Sequence, residues 1–260
     1  MSTSLGGVAG HGALAGLVAG VAGAAAMYWL TEPLVDRAVA LEESMDVHGG
    51  HESVAGGLHL HGGAELVSRP EQVVMGLLTV VVVGALIGVA FSVTHRFLAS
   101  RLPGATTSAS VMTLAALGFV CLTLAPAVVV PANPPAVGDP ATVGTRTTVY
   151  LGSIVCAVGL CTLVVGVTRS SRLAPATRLV AATLLGLVGG AVLLASLPDV
   201  SGTIPVYVPA DLIWSFRVAS LTQIGLMWLV LGVAYAALRL RASTTDTARS
   251  AVAPAVGAAS

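Results

Sequence analysis

The sequence predicts an all-α fold: a polytopic membrane helix bundle, most simply six transmembrane helices with both termini in the cytoplasm. Three observations predict it. Hydrophobic residues make up 55% of the 260 and charged residues only 9%, against roughly 25% charged in an ordinary soluble domain. That leaves too little polar surface to cover a water-exposed exterior. The apolar residues stand in long blocks and are not confined to one helical face. Polar connections separate the blocks, and all but one of the acidic residues fall in or beside every second connection.

A spanning helix needs about 20 mostly apolar residues, because ~30 Å of hydrocarbon is crossed at 1.5 Å per residue. The runs at 9–30, 72–94, 109–130, 147–168, 177–197 and 212–238 meet that requirement. The first is rich in Gly and Ala, with Ala13, Gly16, Gly20 and Gly23 small enough to admit a neighbouring backbone. It lacks the basic n-region of a signal peptide and reads as retained. The second opens on Ser68-Arg-Pro-Glu71, a capping box with Ser68 as N-cap and Glu71 at N3. It closes on His95, where a cation favours a helix C-terminus. Cys121, Cys156 and Cys161 lie in the third and fourth runs without CxxC spacing and read as reduced packing residues. Residues 1–241 therefore form one transmembrane domain. Residues 242–260, rich in Ala, Ser and Thr without apolar periodicity, are expected to be a disordered cytoplasmic tail.

Orientation follows from arginine. Arg96 and Arg101, then Arg169, Arg172 and Arg178, then Arg239 and Arg241 occupy three segments that six helices place on one side. The positive-inside rule makes that side cytoplasmic. Of the twelve acidic residues, only Asp246 falls there. The other eleven lie in or beside the three outer connections, an independent check on the alternation.

Those outer connections are where chemistry is expected. The first, 31–70, holds four of the six histidines: His48, His51, His59 and His61, with Asp46, Glu52, Glu42 and Glu43 around them. Neutral imidazole with carboxylate suits Co, Ni, Zn or Cu, and a Gly-rich backbone favours transient capture over a fixed site. Against this stands the plain alternative of a hydrophilic connector. The second and third connections, 131–146 and 198–211, are Pro-rich turns. Each runs from turn to acid to an Arg six or seven residues later, Asp139 to Arg146 and Asp211 to Arg217. This pattern is compatible with a parallel repeat of helical hairpins. Arg217 stands inside the sixth run, where a charge either pairs with an acid such as Asp139, Asp199 or Asp211 or snorkels to the interface.

Several functions are excluded or disfavoured. All twelve basic residues are Arg, so no P-loop Lys is present to reach nucleotide phosphates. His51-Glu52 continues Ser-Val-Ala and makes no HExxH, and no GxSxG elbow occurs. An enzyme is not expected, nor a nucleic-acid partner, nor a tightly bound cofactor.

The His- and acid-rich segment after the first helix resembles, together with Pro-Ala-Asn-Pro-Pro-Ala-Val-Gly-Asp-Pro at 131–140, the CbtA family of probable cobalt transporter subunits. Leu-Pro-Asp at 197–199, Pro-Ala-Asp-Leu-Ile-Trp at 209–214 and Phe216-Arg217-Val-Ala-Ser-Leu221 carry the same resemblance. The likeness covers about residues 10–240. It implies Co²⁺ as the transported ion, a small His-bearing single-helix subunit, CbtB, as partner, and an association with cobalamin supply. Such proteins are often described with five helices, one fewer than counted here. The resulting expectation is a multi-pass cell-membrane subunit of a divalent metal transporter. Its outer loop (Asp46, His48, His51, Glu52, His59, His61) would gather the ion, and Asp139, Asp199, Asp211 and Arg217 would form a polar vestibule. The rival is a non-transporting membrane scaffold or metal sensor.

Overall fold

Six apolar runs become six long helices for a simple reason: in hydrocarbon every backbone N–H and C=O needs an internal partner, which a helix supplies. The computed structural model describes residues 4–48, 68–135, 137–198, 200, 204–205 and 207–256. Among them it is all-helical, and six helices are long and apolar enough to cross a membrane. Helix α1 (Leu5–Ala26) passes through a π turn (Met27–Thr31) into α2 (Glu32–His48). Then come α3 (Arg69–Leu98), α4 (Thr107–Phe119), a second π turn (Val120–Leu124) and α5 (Ala125–Val129). A 3₁₀ turn (Pro140–Thr142) leads into α6 (Val143–Thr168), which is followed by α7 (Pro175–Ser196) and α8 (Ala210–Val256).

The capping box is present, with the Ser68 amide and hydroxyl each donating to Glu71 Oε2 at 2.8 Å. Two boundaries differ from expectation. Residues 32–48, expected within a connector, continue the first helix as α2. Its apolar positions Leu34, Ala38 and Leu41 recur at helical spacing and pack on Val137, Val208, Leu212 and Ile213. Helix α8 runs to Val256, through residues that were expected to form an unstructured tail.

Both π turns have a cause in the sequence. A proline ring clashes with the carbonyl four residues back, and Pro33 and Pro126 each stand two residues beyond a π turn. The hydrogen-bond ladder slips by one residue at each, Glu32 N to Met27 O and Ala125 N to Val120 O. The helix accommodates the ring without breaking.

The core joins α1, α3, α4 and α8 around Ala15, Ala19, Phe91, Leu114, Leu231 and Tyr235. Helices α1 and α3 meet through glycine. A Cβ on Gly16 would run into the Gly84 carbonyl oxygen, and one on Gly84 would stand 2.6 Å from the Gly20 Cα. Only hydrogen fits there, as in other small-residue membrane contacts. Helices α6 and α7 form a hairpin beside this core. Helix α7 packs on α6 and buries only Ala182, while Leu179 and Leu187 are each 68% exposed. Surfaces this apolar match a lipid environment.

Candidate functional site

Helix α8 carries a polar seam, and the two π turns deliver its partners. Each slipped turn swings a threonine towards α8. Thr31 Oγ1 donates to Gln223 Oε1 at 2.9 Å, and Trp228 Nε1 donates to Thr123 Oγ1 at 3.0 Å. Buried polar groups of this kind are satisfied by each other because no water competes.

Above Thr31, at the acidic end, stands an ion-pair network. Arg69 Nη2 reaches Glu32 Oε2 at 2.6 Å and Asp36 Oδ1 at 2.8 Å, while its Nε lies 3.1 Å from Asp36 Oδ1. Glu32 is 7% exposed. Glu32 and Asp36 are four residues apart and so share one face of α2. Arg69, at the start of α3, bridges both and ties α3 to α2. Arg37 pairs with Asp211 at 2.9 Å, joining α2 to the start of α8. Both are charge-assisted: Arg69 directs two nitrogens at Asp36 Oδ1, while Arg37 meets Asp211 through the single Nη1–Oδ2 contact.

Arg217 has a different role. Its Nε lies 3.2 Å from the Ala132 carbonyl oxygen and its Nη2 lies 3.0 Å from Asn133 Oδ1. The guanidinium therefore anchors the Pro-rich turn to α8. That turn is packed down: Pro134 is fully buried, and Gly138 adopts φ +142°, a conformation open to glycine.

At the opposite end His95 is 3% exposed and its Nε2 lies 3.0 Å from Ser110 Oγ. Its ring meets Tyr235 edge-on at 5.7 Å, and Tyr235 meets Phe91 at 5.6 Å. His95 stands in the last turn of α3, as expected, but its ring is turned inward. Gly84, Gly88, Phe91, Ser92 and His95 share the buried face of α3, and that periodicity carries the imidazole inward. Between the two polar ends the interior is filled by Ala15, Ala19, Phe91 and Leu231.

The residues expected to hold metal fall as follows. Asp46 and His48 lie in the last turn of α2, whereas His51, Glu52, His59, His61 and Asp199 are outside the described residues. Asp139 accepts from the Ala141 amide at 2.8 Å and caps the turn before α6. Asp211 accepts from Arg37 and Arg217 binds the 132–133 segment, so Asp139, Asp211 and Arg217 each take a different partner. Arg217 thus takes neither Asp139 nor Asp211: among the described residues a loop carbonyl and an amide serve the guanidinium, and the expected pairing with Asp199 falls outside them. Among the described residues no group of three or more His, Cys, Asp and Glu is placed to hold a metal ion.

Sequence reasoning missed the Arg69 bridge and the two threonine contacts. A signal for the first was available: Arg69 is an arginine on the acidic side, opposite an i, i+4 pair of carboxylates. A signal for the others was the proline inside each apolar run.

No curated protein and no solved structure matches the chain. A family model described as "Probable cobalt transporter subunit (CbtA)" matches residues 8–239.

Proposed function

We propose, from the premise that the chain belongs to the CbtA family of probable cobalt transporter subunits, that it collects Co²⁺ on its outer side and passes it inward together with a further subunit. The observation that carries this is the extent of the family match, which takes in all six apolar helices.

The chemistry of the outer segment supports the collecting step. Imidazole and carboxylate are ligands that Co²⁺ accepts, and Asp46, His48, His51, Glu52, His59 and His61 bring both types close in sequence. Asp46 and His48 lie in the last turn of α2, a 17-residue helix about 25 Å long that follows the π turn. Capture there is loose and reversible, as a loading step requires.

The bundle supports the need for a partner. A cation crossing hydrocarbon requires polar groups along its whole path. This interior is polar near Glu32, Thr31 and Gln223 and again near His95 and Ser110, with Ala15, Ala19, Phe91 and Leu231 closing the middle. A small single-helix subunit of the CbtB kind is the proposed source of the missing surface. The same closed middle favours one second reading, a metal-sensing scaffold that moves no ion.

Uptake of radioactive cobalt by proteoliposomes separates the two. Uptake that requires both this chain and the small subunit establishes the transporter. Binding without uptake under either condition establishes the sensor.

A further inference from the structure

Four arginines stand at the acidic end of the bundle, and they divide into two pairs. Arg37 and Arg69 are neutralised by carboxylates. Arg146 and Arg217 are half-buried and line one cleft of about 530 Å³ between α5, α6 and α8. No acidic side chain lines it among the described residues. Its walls are apolar, from Leu122, Val128 and Leu221 among others, and Tyr150 and Trp214 stand with the arginines.

Each feature constrains the occupant. Two guanidiniums without a carboxylate repel a metal cation, so this cleft is no route for Co²⁺. Arg217 spends Nε and Nη2 on Ala132 and Asn133, but both guanidiniums keep a positive charge that an anion at this apolar wall would offset, and their planar forks match phosphate oxygens. Trp and Tyr mark the headgroup level of a bilayer, and Arg217 lies about 10 Å into α8 from Ala210. The volume falls within the ~300–1,000 Å³ of pockets that hold small ligands, while a helix ~10 Å across would fill it with little more than one turn.

We propose that this cleft holds one anionic phospholipid, its phosphate between Arg146 and Arg217 and an acyl chain along Leu122, Val128 and Leu221. The lipid then buttresses the Arg217-anchored turn from the membrane side.

The full chain, purified and exchanged into detergent, is offered phosphatidylglycerol, phosphatidylcholine or inorganic phosphate, and bound lipid is counted by native mass spectrometry. Phosphatidylglycerol is expected to be retained over phosphatidylcholine, with excess phosphate unable to displace it. Arg146→Gln should lower phosphatidylglycerol retention about tenfold, the loss of one charge-assisted contact. Val128→Trp, which keeps both charges and fills the apolar wall, should lower it too. Among the described residues Arg146 has no hydrogen bond or ion pair to the rest of the fold, so its variant remains informative even if Arg217 variants fail to fold. Equal retention of the two lipids, displacement by phosphate alone, or unchanged retention in both variants would overturn the assignment.

Discussion

Arg217 on α8 hydrogen-bonds Asn133 at 3.0 Å and the neighbouring Ala132 carbonyl at 3.2 Å, so the segments at 131–140 and 216–221 hold each other. The two are 84 residues apart in the chain. An intramembrane arginine that by sequence either pairs with an acid or snorkels is thus found bonded to a loop carbonyl and a side-chain amide.

The bond predicts a stability effect independent of any acid. Arg217→Leu should cost ~1.5–3 kcal/mol, the range for hydrogen bonds to a charged group. Asn133→Ala should show a coupling of about 1 kcal/mol with it in a double-mutant cycle. Neutralising Asp211 in the Arg217→Leu background should restore nothing. Unfolding of the purified variants in detergent reads both effects.

Glycine packing predicts a contrast between two helices. Gly16→Ala drives a methyl into the Gly84 carbonyl and should destabilise by ~1–3 kcal/mol through overpacking. Gly152 on α6 has nothing within 4 Å of an added Cβ. Gly152→Ala should therefore be neutral or gain the ~0.5–1 kcal/mol of helix propensity that glycine forgoes. Thermal unfolding of the two variants side by side tests the assignment of the α1–α3 contact.

Topology is predicted by the arginine asymmetry and checked by labelling. In a background with Cys121, Cys156 and Cys161 replaced, single cysteines at 48 and 136 should react with an impermeant maleimide in intact cells. Those at 101 and 172 should react only after permeabilisation. Labelling of 172 from outside would invert the orientation and remove the outer capture step.

Metal collection is predicted to reside in the outer histidines. Joint replacement of His48, His51, His59 and His61 with Ala should raise the cobalt concentration needed for half-maximal uptake while leaving membrane abundance unchanged. The segment lies outside the apolar spans, so little packing is lost. Unaltered uptake would reduce the segment to a connector.

The helices were legible because their causes are local. Length, hydropathy and caps are properties of contiguous residues, and the six runs and the Ser68–Glu71 box follow from them, while the small residues of the first helix marked a face that a neighbour could approach without saying which neighbour. Even the π turns had a local cause in Pro33 and Pro126. What they present to α8 did not.

What the sequence alone determined is the number of spans, their approximate limits and the segregation of charge, since an unpartnered peptide group or side-chain charge in hydrocarbon is prohibitive wherever it sits. What only the tertiary structure decided is partnership. Glu32 belongs to Arg69, Asp211 to Arg37, Arg217 to Asn133 and Thr31 to Gln223, the last across 192 residues. The acidic end offers each arginine several acids and carbonyls of similar chemistry. The choice among them rests on which helices pack together, and that is set by glycine contacts and apolar faces distant in the chain from the charges they bring into register.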